Sequence, residues 1–194
     1  MTATEAREVA TAEERLRLRL SSVYEIGKAL ADFRSVDETV ADVLRLVHAS
    51  LPLASAVLLE GRGGDLRMIV WHGEGAAPEA LLRAETNARA SYAFLAAPVP
   101  PRSAAMDVRR AVLPFRRSPV DLDPGRRRRN FMTLPLVVAR GAIFGALQVE
   151  GAGSLDEDDL AFVDAVVCLL SLAIDRHHGA AGKTPPFTPQ RRRA

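Results

Sequence analysis

The sequence predicts one α+β domain built from two β-hairpins and four helices. Two pairs of apolar runs predict the hairpins, because each pair flanks a short turn, one pair within 54–72 and the other within 130–150. Elsewhere, apolar residues recur every three or four positions, which is typical of helices. At 194 residues, with 48% apolar and 26% charged residues, the chain has the length of one such domain with a short tail.

Two helices are predicted at the N-terminal end. Ser35 and Glu38 form a capping-box pattern, so the second of these helices is expected over 36–51, ending before Pro52. The first is expected over residues 5 to about 32, which contain no Pro. Apolar or small residues recur in it with the spacing of a heptad seam, namely Leu16, Leu20, Val23, Gly27 and Leu30.

The middle of the chain predicts a hairpin, a helix and an irregular segment. The runs 54–60 and 66–72 flank a Gly-rich turn, which is typical of a β-hairpin. Pro78 then opens a helical pattern that continues to about Phe94. The stretch from Ala97 onward is rich in Pro and Arg, and a loop of that length is uncommon in a compact domain. We therefore expect a short strand at 111–115.

The C-terminal part predicts the second hairpin and a long helix behind it. Ser154 and Glu157 match a capping box, so the helix is expected over 155–176, and the tail 177–194 is expected to be disordered. The alternation of side chains along a strand places two sets of hairpin residues on opposite sides. Gly145, Leu147 and Val149 are expected to face the helix, and Phe144, Ala146 and Gln148 to face away.

The last helix carries two apolar seams, and one sheet covers only one of them. The N-terminal helix is the expected cover for the other seam, either from the same chain or from a second copy. We expect a parallel homodimer, because closed homodimers are the commonest oligomers, with packing inside one chain as the alternative. The expected interface residues are Leu16, Leu20, Val23, Leu30, Val163, Val167, Leu170 and Ile174.

The net charge of +2 is unevenly distributed. Segment 102–129 carries nine Arg against three Asp, and the tail adds four more cations, so the rest of the chain is acidic. This pattern argues against a nucleic-acid-binding domain, and the run Arg126–Arg129 is interpreted as a solvated loop, with an anionic ligand or an acidic partner as alternatives. The single Cys168 excludes a disulfide framework and a Cys-built zinc site. With no membrane-spanning run and a charged N-terminus, we expect a cytoplasmic protein that is neither exported nor membrane-embedded.

The order of these elements resembles that of a GAF domain. The resemblance lies in Leu134–Val138, Phe144–Val149 and Asp158–Leu160, followed by the apolar helix. The stretch YEIGKALADFRSVDETVADVLRLV is also similar to the two helices that begin GAF modules in bacterial sensor histidine kinases. The resemblance covers roughly 20–176, so residues 1–19 are expected to extend the first helix. It implies a central antiparallel sheet with the N- and C-terminal helices on one face. A middle helix and loops would cover a small-molecule pocket on the other face.

Three activities known in this family are not supported by the residues present. Bilin-binding GAF domains attach their chromophore through a pocket Cys, whereas Cys168 lies in the terminal helix. The Asn-Lys-Phe-Asp-Glu type of motif found in cyclic-nucleotide-binding members does not follow Asn130-Phe131. GAF methionine-sulfoxide reductases use several cysteines, and this chain has one.

A ligand pocket is instead proposed from residue types. Small-molecule sites combine aromatic walls with a few polar groups, and Gln148 is notable because an inward-facing amide on an apolar strand needs a hydrogen-bond partner. The alternative interpretation is that Trp71, Phe94 and Phe131 are core residues, while His48, His72 and the pair His177-His178 are solvated. The candidate ligand-binding residues are Trp71, His72, Tyr92, Phe94, Phe131, Thr133 and Gln148.

Two classes of function remain open at the level of sequence. The first is a sensory and dimerisation module of bacterial signal transduction, in which a ligand or partner changes the packing of the terminal helices. The second is a ligand-free protein-interaction module. Neither class is an enzyme, because no catalytic, phosphate-binding or metal-ligating motif is present, and the sequence leaves the identity of any cofactor unknown. The chain is expected to be either the sensor part of a kinase or a free-standing GAF protein.

Overall fold

The computed structural model describes residues 3–62, 65–95, 106–116, 130–138 and 142–181. The expected hairpins and helices are all present within these ranges, and most of their bounds agree to within two residues of the sequence prediction. The elements in chain order are α1 (Ala3–Ala31), α2 (Val36–Ser50), β1 (Leu53–Arg62), β2 (Asp65–His72), α3 (Pro78–Leu95), β3 (Asp107–Val112), β4 (Phe131–Val137), β5 (Ile143–Gly151) and α4 (Glu157–Ala181).

The strands form one five-stranded sheet in the order β3-β2-β1-β5-β4. Both hairpins are antiparallel as expected, and β1 and β5 pair antiparallel at the centre. The expected antiparallel sheet is thus present at the centre, but the edge strand β3 runs parallel to β2, so the sheet as a whole is mixed. The reason is the connection: α3 crosses over between β2 and β3, and a helical crossover returns the chain to the sheet in the same direction.

Two element boundaries differ from the sequence prediction for local reasons. The strand expected at 111–115 lies at Asp107–Val112, because Pro114 has no N–H for the ladder and the backbone turns there, with Phe115 N donating to Leu113 O at 2.7 Å. Helix α4 begins at Glu157 and is capped by Asp156, whose Oδ1 accepts from Asp159 N at 2.8 Å. Asp159 Oδ2 accepts from Asp156 N in return, so the capping box is made by these two residues.

Helices α1, α2 and α4 lie on one face of the sheet and α3 lies on the other. The larger apolar cluster joins Ile26 of α1 and residues of α2 and α4 to the sheet, whereas the smaller one joins α3 to it. Leu147 and Val149 belong to the larger cluster and Ala146 to the smaller one, as the expected alternation along β5 requires. Phe144, which was expected to face away from α4, instead packs against the larger cluster, because the pairing of β4 with β5 shifts its register at this residue. We call the two sides the terminal-helix face and the α3 face.

The residues expected at a dimer interface are divided by the structure. Val163, Val167, Leu170 and Ile174 of α4 are buried inside the chain, because the sheet and the two N-terminal helices together cover this seam. Val23 and Leu30 are partly buried against the same core. Leu16 and Leu20 are exposed. The α4 seam is therefore packed within one chain, which corrects the expectation that it faces a second copy.

Helices α1 and α4 lie side by side and run in the same direction. Arg19 of α1 forms an ion pair with Asp159 in the first turn of α4, and the ring of Phe33, just after α1, packs in a tilted arrangement against that of His177 near the end of α4. Helix α4 continues to Ala181, so residues 177–181, which were expected in the tail, are helical. Residues 182–194 and Arg126–Arg129 lie outside the described ranges. In the described part of the chain, no helix combines the length and apolar character that crossing a bilayer requires.

Candidate functional site

A row of polar residues crosses the α3 face of the sheet. His72 of β2 pairs with Ser55 of β1, and Ser55 pairs in turn with Glu150 of β5. Residues directly opposite one another in an antiparallel sheet point to the same side, so these three side chains lie next to one another. We call His72, Ser55 and Glu150 the polar row. Phe131 of β4 lies opposite Glu150 and continues the row to the edge of the sheet.

Glu150 is a nearly buried carboxylate held by neighbours from three directions. Its Oε2 accepts a hydrogen bond from Ser55 Oγ at 3.0 Å, and its Oε1 accepts one from Asn130 Nδ2 at 3.2 Å. Arg83 of α3 brings Nη2 to within 3.6 Å of Oε1. A buried carboxylate is retained only where hydrogen bonds and a counter-charge replace its hydration, and these groups do so here.

Gln148 lies one position along the α3 face from the polar row. Its side chain is 2% exposed, and both ends of its amide have partners. Gln148 Nε2 donates to Ala84 O of α3 at 3.1 Å, and Oε1 accepts from Thr133 Oγ1 of β4 at 3.1 Å. The partner that the sequence required for this amide is therefore supplied by the protein, and the hydrogen bond to Ala84 ties β5 to α3.

The apolar part of the α3 face is closed by Tyr92. Tyr92 packs in the smaller apolar cluster with Val57, Leu59 and Met68. Burial raises the pKa of the Tyr92 hydroxyl, so the phenol is neutral at physiological pH. The hydroxyl lies close to Gly61, near the far end of β1. Tyr92 is therefore a wall of this face, well away from the polar row.

The structure places five of the seven candidate ligand-binding residues on the α3 face. His72, Tyr92, Phe131, Thr133 and Gln148 all belong to the α3 face, although Tyr92 is separated from the others along the strands.

The other two candidates are placed elsewhere. Trp71 points to the terminal-helix face, where it is buried in the larger core cluster, as the core interpretation expected. Phe94 is 84% exposed on α3, in disagreement with that interpretation. His72 is half-buried, and its Nδ1 lies 2.9 Å from Gly73 O.

Four residues of this site were missed by the sequence analysis: Ser55, Arg83, Asn130 and Glu150. A signal was available for two of them. Ser55 interrupts an apolar run in β1, and Glu150 lies two positions after Gln148, so a strand period of two places Gln148 and Glu150 on the same side. No comparable signal marks Arg83 or Asn130, because their role depends on how α3 and β4 are placed against β5.

Comparison with solved structures agrees with this architecture, whereas the comparisons of sequence found no match. No family model and no curated protein matches the sequence. Among solved structures, the GAF domain of a protein described as a sensor histidine kinase from Pseudomonas syringae pv. tomato is 18% identical. The match covers 91% of this chain and 96% of that chain with a TM-score of 0.51.

Two further GAF-domain structures are similar at lower scores. The GAF domain of A. aeolicus nlh2 in an inactive state is 12% identical, with 86% of this chain and 99% of that chain covered and a TM-score of 0.48. The GAF domain from an Acinetobacter phosphoenolpyruvate-protein phosphotransferase is 14% identical, with 86% and 97% covered and a TM-score of 0.47.

The chain has the GAF fold. The resemblance that the sequence suggested is thereby confirmed at the level of the fold. In this GAF fold, the side chains available on the α3 face are a carboxylate, an amide, two hydroxyl-bearing residues and an imidazole. Side chains of these types are the polar groups that small-molecule sites use to orient a ligand.

A separate cleft of about 710 Å³ opens at the β3 edge of the GAF fold. Its floor is formed by Leu113 and Phe115, which are buried, and its walls by Arg45 of α2 and by Glu74 and Gly75 of the turn before α3. None of the candidate ligand-binding residues lines it. The cleft is therefore distinct from the polar row.

His48, next to this cleft, is a structural residue of the GAF fold. Its Nδ1 accepts a hydrogen bond from Leu53 N at 2.9 Å, and its ring stacks on Phe115 with centroids 5.2 Å apart. Burial, with a smaller contribution from Arg116, lowers the pKa of His48. The interpretation of His48 as a solvated residue is therefore corrected: the imidazole links the end of α2 to the start of β1.

Metal binding finds no support in the described ranges, which contain no group of three or more His, Cys, Asp or Glu side chains suited to hold an ion. Cys168 is exposed on α4, away from the α3 face.

Proposed function

We propose that this chain is a non-catalytic sensory and dimerisation module of a bacterial, cytoplasmic signalling protein such as a histidine kinase. In this proposal, a small polar molecule binds between the α3 face and α3, with His72, Phe131, Thr133 and Gln148 around it. Its binding state is passed to a partner protein through the terminal helices. The observation that carries the proposal is that two polar side chains of β5, Gln148 and Glu150, are buried on the α3 face.

The route from ligand to output follows from the alternation of β5. Gln148 and Glu150 point toward α3, while Leu147 and Val149, which lie between and beside them in sequence, pack in the cluster that contains α4. A displacement of β5 caused by a ligand would change both faces at once. A ligand shifts such an equilibrium only by its difference in affinity for the two arrangements, so it must contact these side chains differently in each.

The non-catalytic part of the proposal rests on the sequence, which contains no nucleophile, phosphate-loop or metal motif. The dimerisation part rests on α1. Leu16, Leu20 and Tyr24 are exposed at intervals of four residues, and this spacing forms one apolar strip along a helix. A second copy of the same strip is the proposed partner, since a parallel pair of α1 helices would place equivalent residues opposite one another.

One observation favours the second candidate function, a ligand-free interaction module. Both ends of the Gln148 amide are already bonded to protein atoms, and Glu150 is bonded to Ser55 and Asn130. A fully satisfied polar cluster stabilises a unique packing of α3 on the sheet without a ligand.

Native mass spectrometry of the protein as purified from cells distinguishes the two functions. The sensory proposal predicts a dimer with a retained small-molecule mass that is lost in Glu150→Gln and kept in the control Arg45→Ala, which alters the separate cleft. A dimer without added mass would favour the interaction module. A mass that survives Glu150→Gln and is lost in Arg45→Ala would contradict the proposed site, and a monomer would contradict the dimerisation.

A further inference from the structure

The end of helix α4 is attached to the sheet through a buried carboxylate. Glu60 of β1 points to the terminal-helix face and is 2% exposed. Its Oε2 accepts from Arg67 Nη2 of β2 at 2.6 Å, and its Oε1 lies 2.8 Å from Nε2 of His178 in the last turns of α4. Glu60 therefore connects two sheet strands to the helix that leaves the domain.

Further charged groups surround this contact. Arg67 Nη1 donates to Asp37 Oδ1 at the start of α2 at 2.7 Å, and Arg109 Nη1 of β3 lies 3.5 Å from Asp37 Oδ2. Arg109 also faces Asp107 at 3.2 Å, but both are more than half exposed, so solvent screens their charges. Glu60, Asp37 and Arg67 carry one net negative charge among them, and a protonated His178 would neutralise it.

Aromatic contacts fix the position of the two histidines. The His178 ring is 6.3 Å from the Phe144 ring of β5 in an edge-on arrangement, and the His177 ring is 4.6 Å from that of Phe33. The His178 side chain is 22% exposed. The interpretation of this pair as solvated residues at a helix end is therefore corrected, because both rings are packed against other elements.

We propose that Glu60 and His178 form a proton-sensitive latch that holds the last turns of α4 on the sheet. A positive charge on His178 strengthens its contact with Glu60, because the Glu60 carboxylate is buried and only its other oxygen accepts from Arg67. As the pH rises through the titration range of histidine, the imidazole becomes neutral, the net negative charge is uncompensated and the last turns of α4 detach more readily. Charged or ionisable groups around the latch include Arg67 and Arg109 from the sheet, Asp37 from α2 and His177 from α4.

The latch rests on the proposed function only in treating α4 as the helix that transmits a signal. The contact itself involves no ligand, and it lies on the face of the sheet opposite the polar row. A latch that fails its test leaves ligand sensing untouched, and a latch that passes does not require a ligand.

Hydrogen exchange of the intact protein tests the latch, measured by mass spectrometry on peptides covering 172–181 and corrected for the intrinsic pH dependence of exchange. In the wild type, we expect protection at about pH 5.5 to exceed that at about pH 7.5 by about two- to fivefold, the range for a partly exposed ion pair. His178→Gln, which stays neutral, should have the lower protection at both pH values. His177→Gln should keep the pH dependence.

Glu60→Gln gives an independent test of the same contact. It should also abolish the pH dependence of exchange in 172–181, and urea unfolding of this variant reports whether the rest of the domain is intact. Wild-type protection that does not change with pH would overturn the proposal. So would a pH dependence that persists in His178→Gln.

Discussion

At the scale of single residues, Gln148 is an amide at a position where its neighbours Leu147 and Val149 are apolar. It is tolerated there because Ala84 O accepts from one end of the amide and Thr133 Oγ1 donates to the other. Removing one partner of a buried hydrogen bond costs more than the bond itself contributes, since the remaining group loses its hydration without compensation.

Replacement of Gln148 by Glu should therefore destabilise the domain, because a carboxylate cannot donate to Ala84 O and would be buried without a counter-charge. We expect the free energy of unfolding to fall by about 2 kcal/mol. Urea unfolding at neutral pH measures the change. Thr133→Val, which removes only the hydroxyl on the half-exposed side, is the matched control and should cost less; an equal or larger loss for Thr133→Val would contradict the hydrogen-bond pattern.

His48 should make the stability of the protein depend on pH. Because burial lowers the pKa of His48, the folded state favours the neutral imidazole, whereas the unfolded chain takes up a proton near the ordinary value of 6.5. The contribution of His48 to stability is thus present above this value and is lost as the pH falls below it. His48→Asn should remove this part of the pH dependence of the free energy of unfolding, and urea titrations at a series of pH values would detect it. A variant with the same pH dependence as the wild type would exclude His48 as its source.

At the scale of elements, local sequence signals predicted which helices and strands are present better than they predicted which residues cap them or how the strands pair. The capping pattern at Ser35 and Glu38 is present in the structure, with Ser35 Oγ accepting from Glu38 N at 3.3 Å. At α4, however, the reciprocal cap is made by Asp156 and Asp159, and the pattern of Ser154 and Glu157 is a similar one that begins two residues earlier. The direction of β3 could not be predicted, because parallel pairing depends on the crossover through α3 rather than on the strand's own residues.

Glycine positions give a matched prediction at this scale. A Cβ at Gly145 of β5 would collide with Leu59 O of the neighbouring strand and crowd Leu136 Cδ1, whereas a Cβ at Gly27 of α1 meets open space. Gly145→Ala should lower the free energy of unfolding by about 2 kcal/mol through overpacking. Gly27→Ala should raise it by about 0.5 to 1 kcal/mol, because Ala is the better helix former. Thermal and urea unfolding of both variants check the signs, and a stabilising Gly145→Ala would mean that the two strands can separate there.

At the scale of the whole molecule, the terminal helices have two different roles. The seam of Val163, Val167, Leu170 and Ile174 on α4 is buried within the chain, while the strip of Leu16, Leu20 and Tyr24 on α1 is exposed. Sequence periodicity identified both helices and their seams but could not assign each seam to a neighbour. That assignment depends on the positions of α1 and α2 over the sheet, which periodicity does not contain.

The proposed dimer can be tested through this strip. The double variant Leu16→Glu with Leu20→Glu should convert the dimer to a folded monomer, because like charges would oppose one another across a parallel α1 pair. Size-exclusion chromatography with light scattering measures the mass, and Leu82→Glu, an equally exposed site on α3, is the control that should remain dimeric. Val167→Glu should instead unfold the domain, since Val167 is buried in the chain. A dimer that persists in the double variant would place the interface elsewhere.

The pairing of β1 with β5 has a consequence for how the chain folds during synthesis. These central neighbours join residues from opposite ends of the domain, with Leu53 beside Gly151. The two strands that flank β1 therefore become available at very different times, and β2 can pair at once while β5 must wait for most of the chain to leave the ribosome. Such non-local contacts slow folding, because the loop between them must close before the contact is made. Until then the apolar edge of β1 is open to other chains, so early release of the nascent protein is the step most exposed to aggregation.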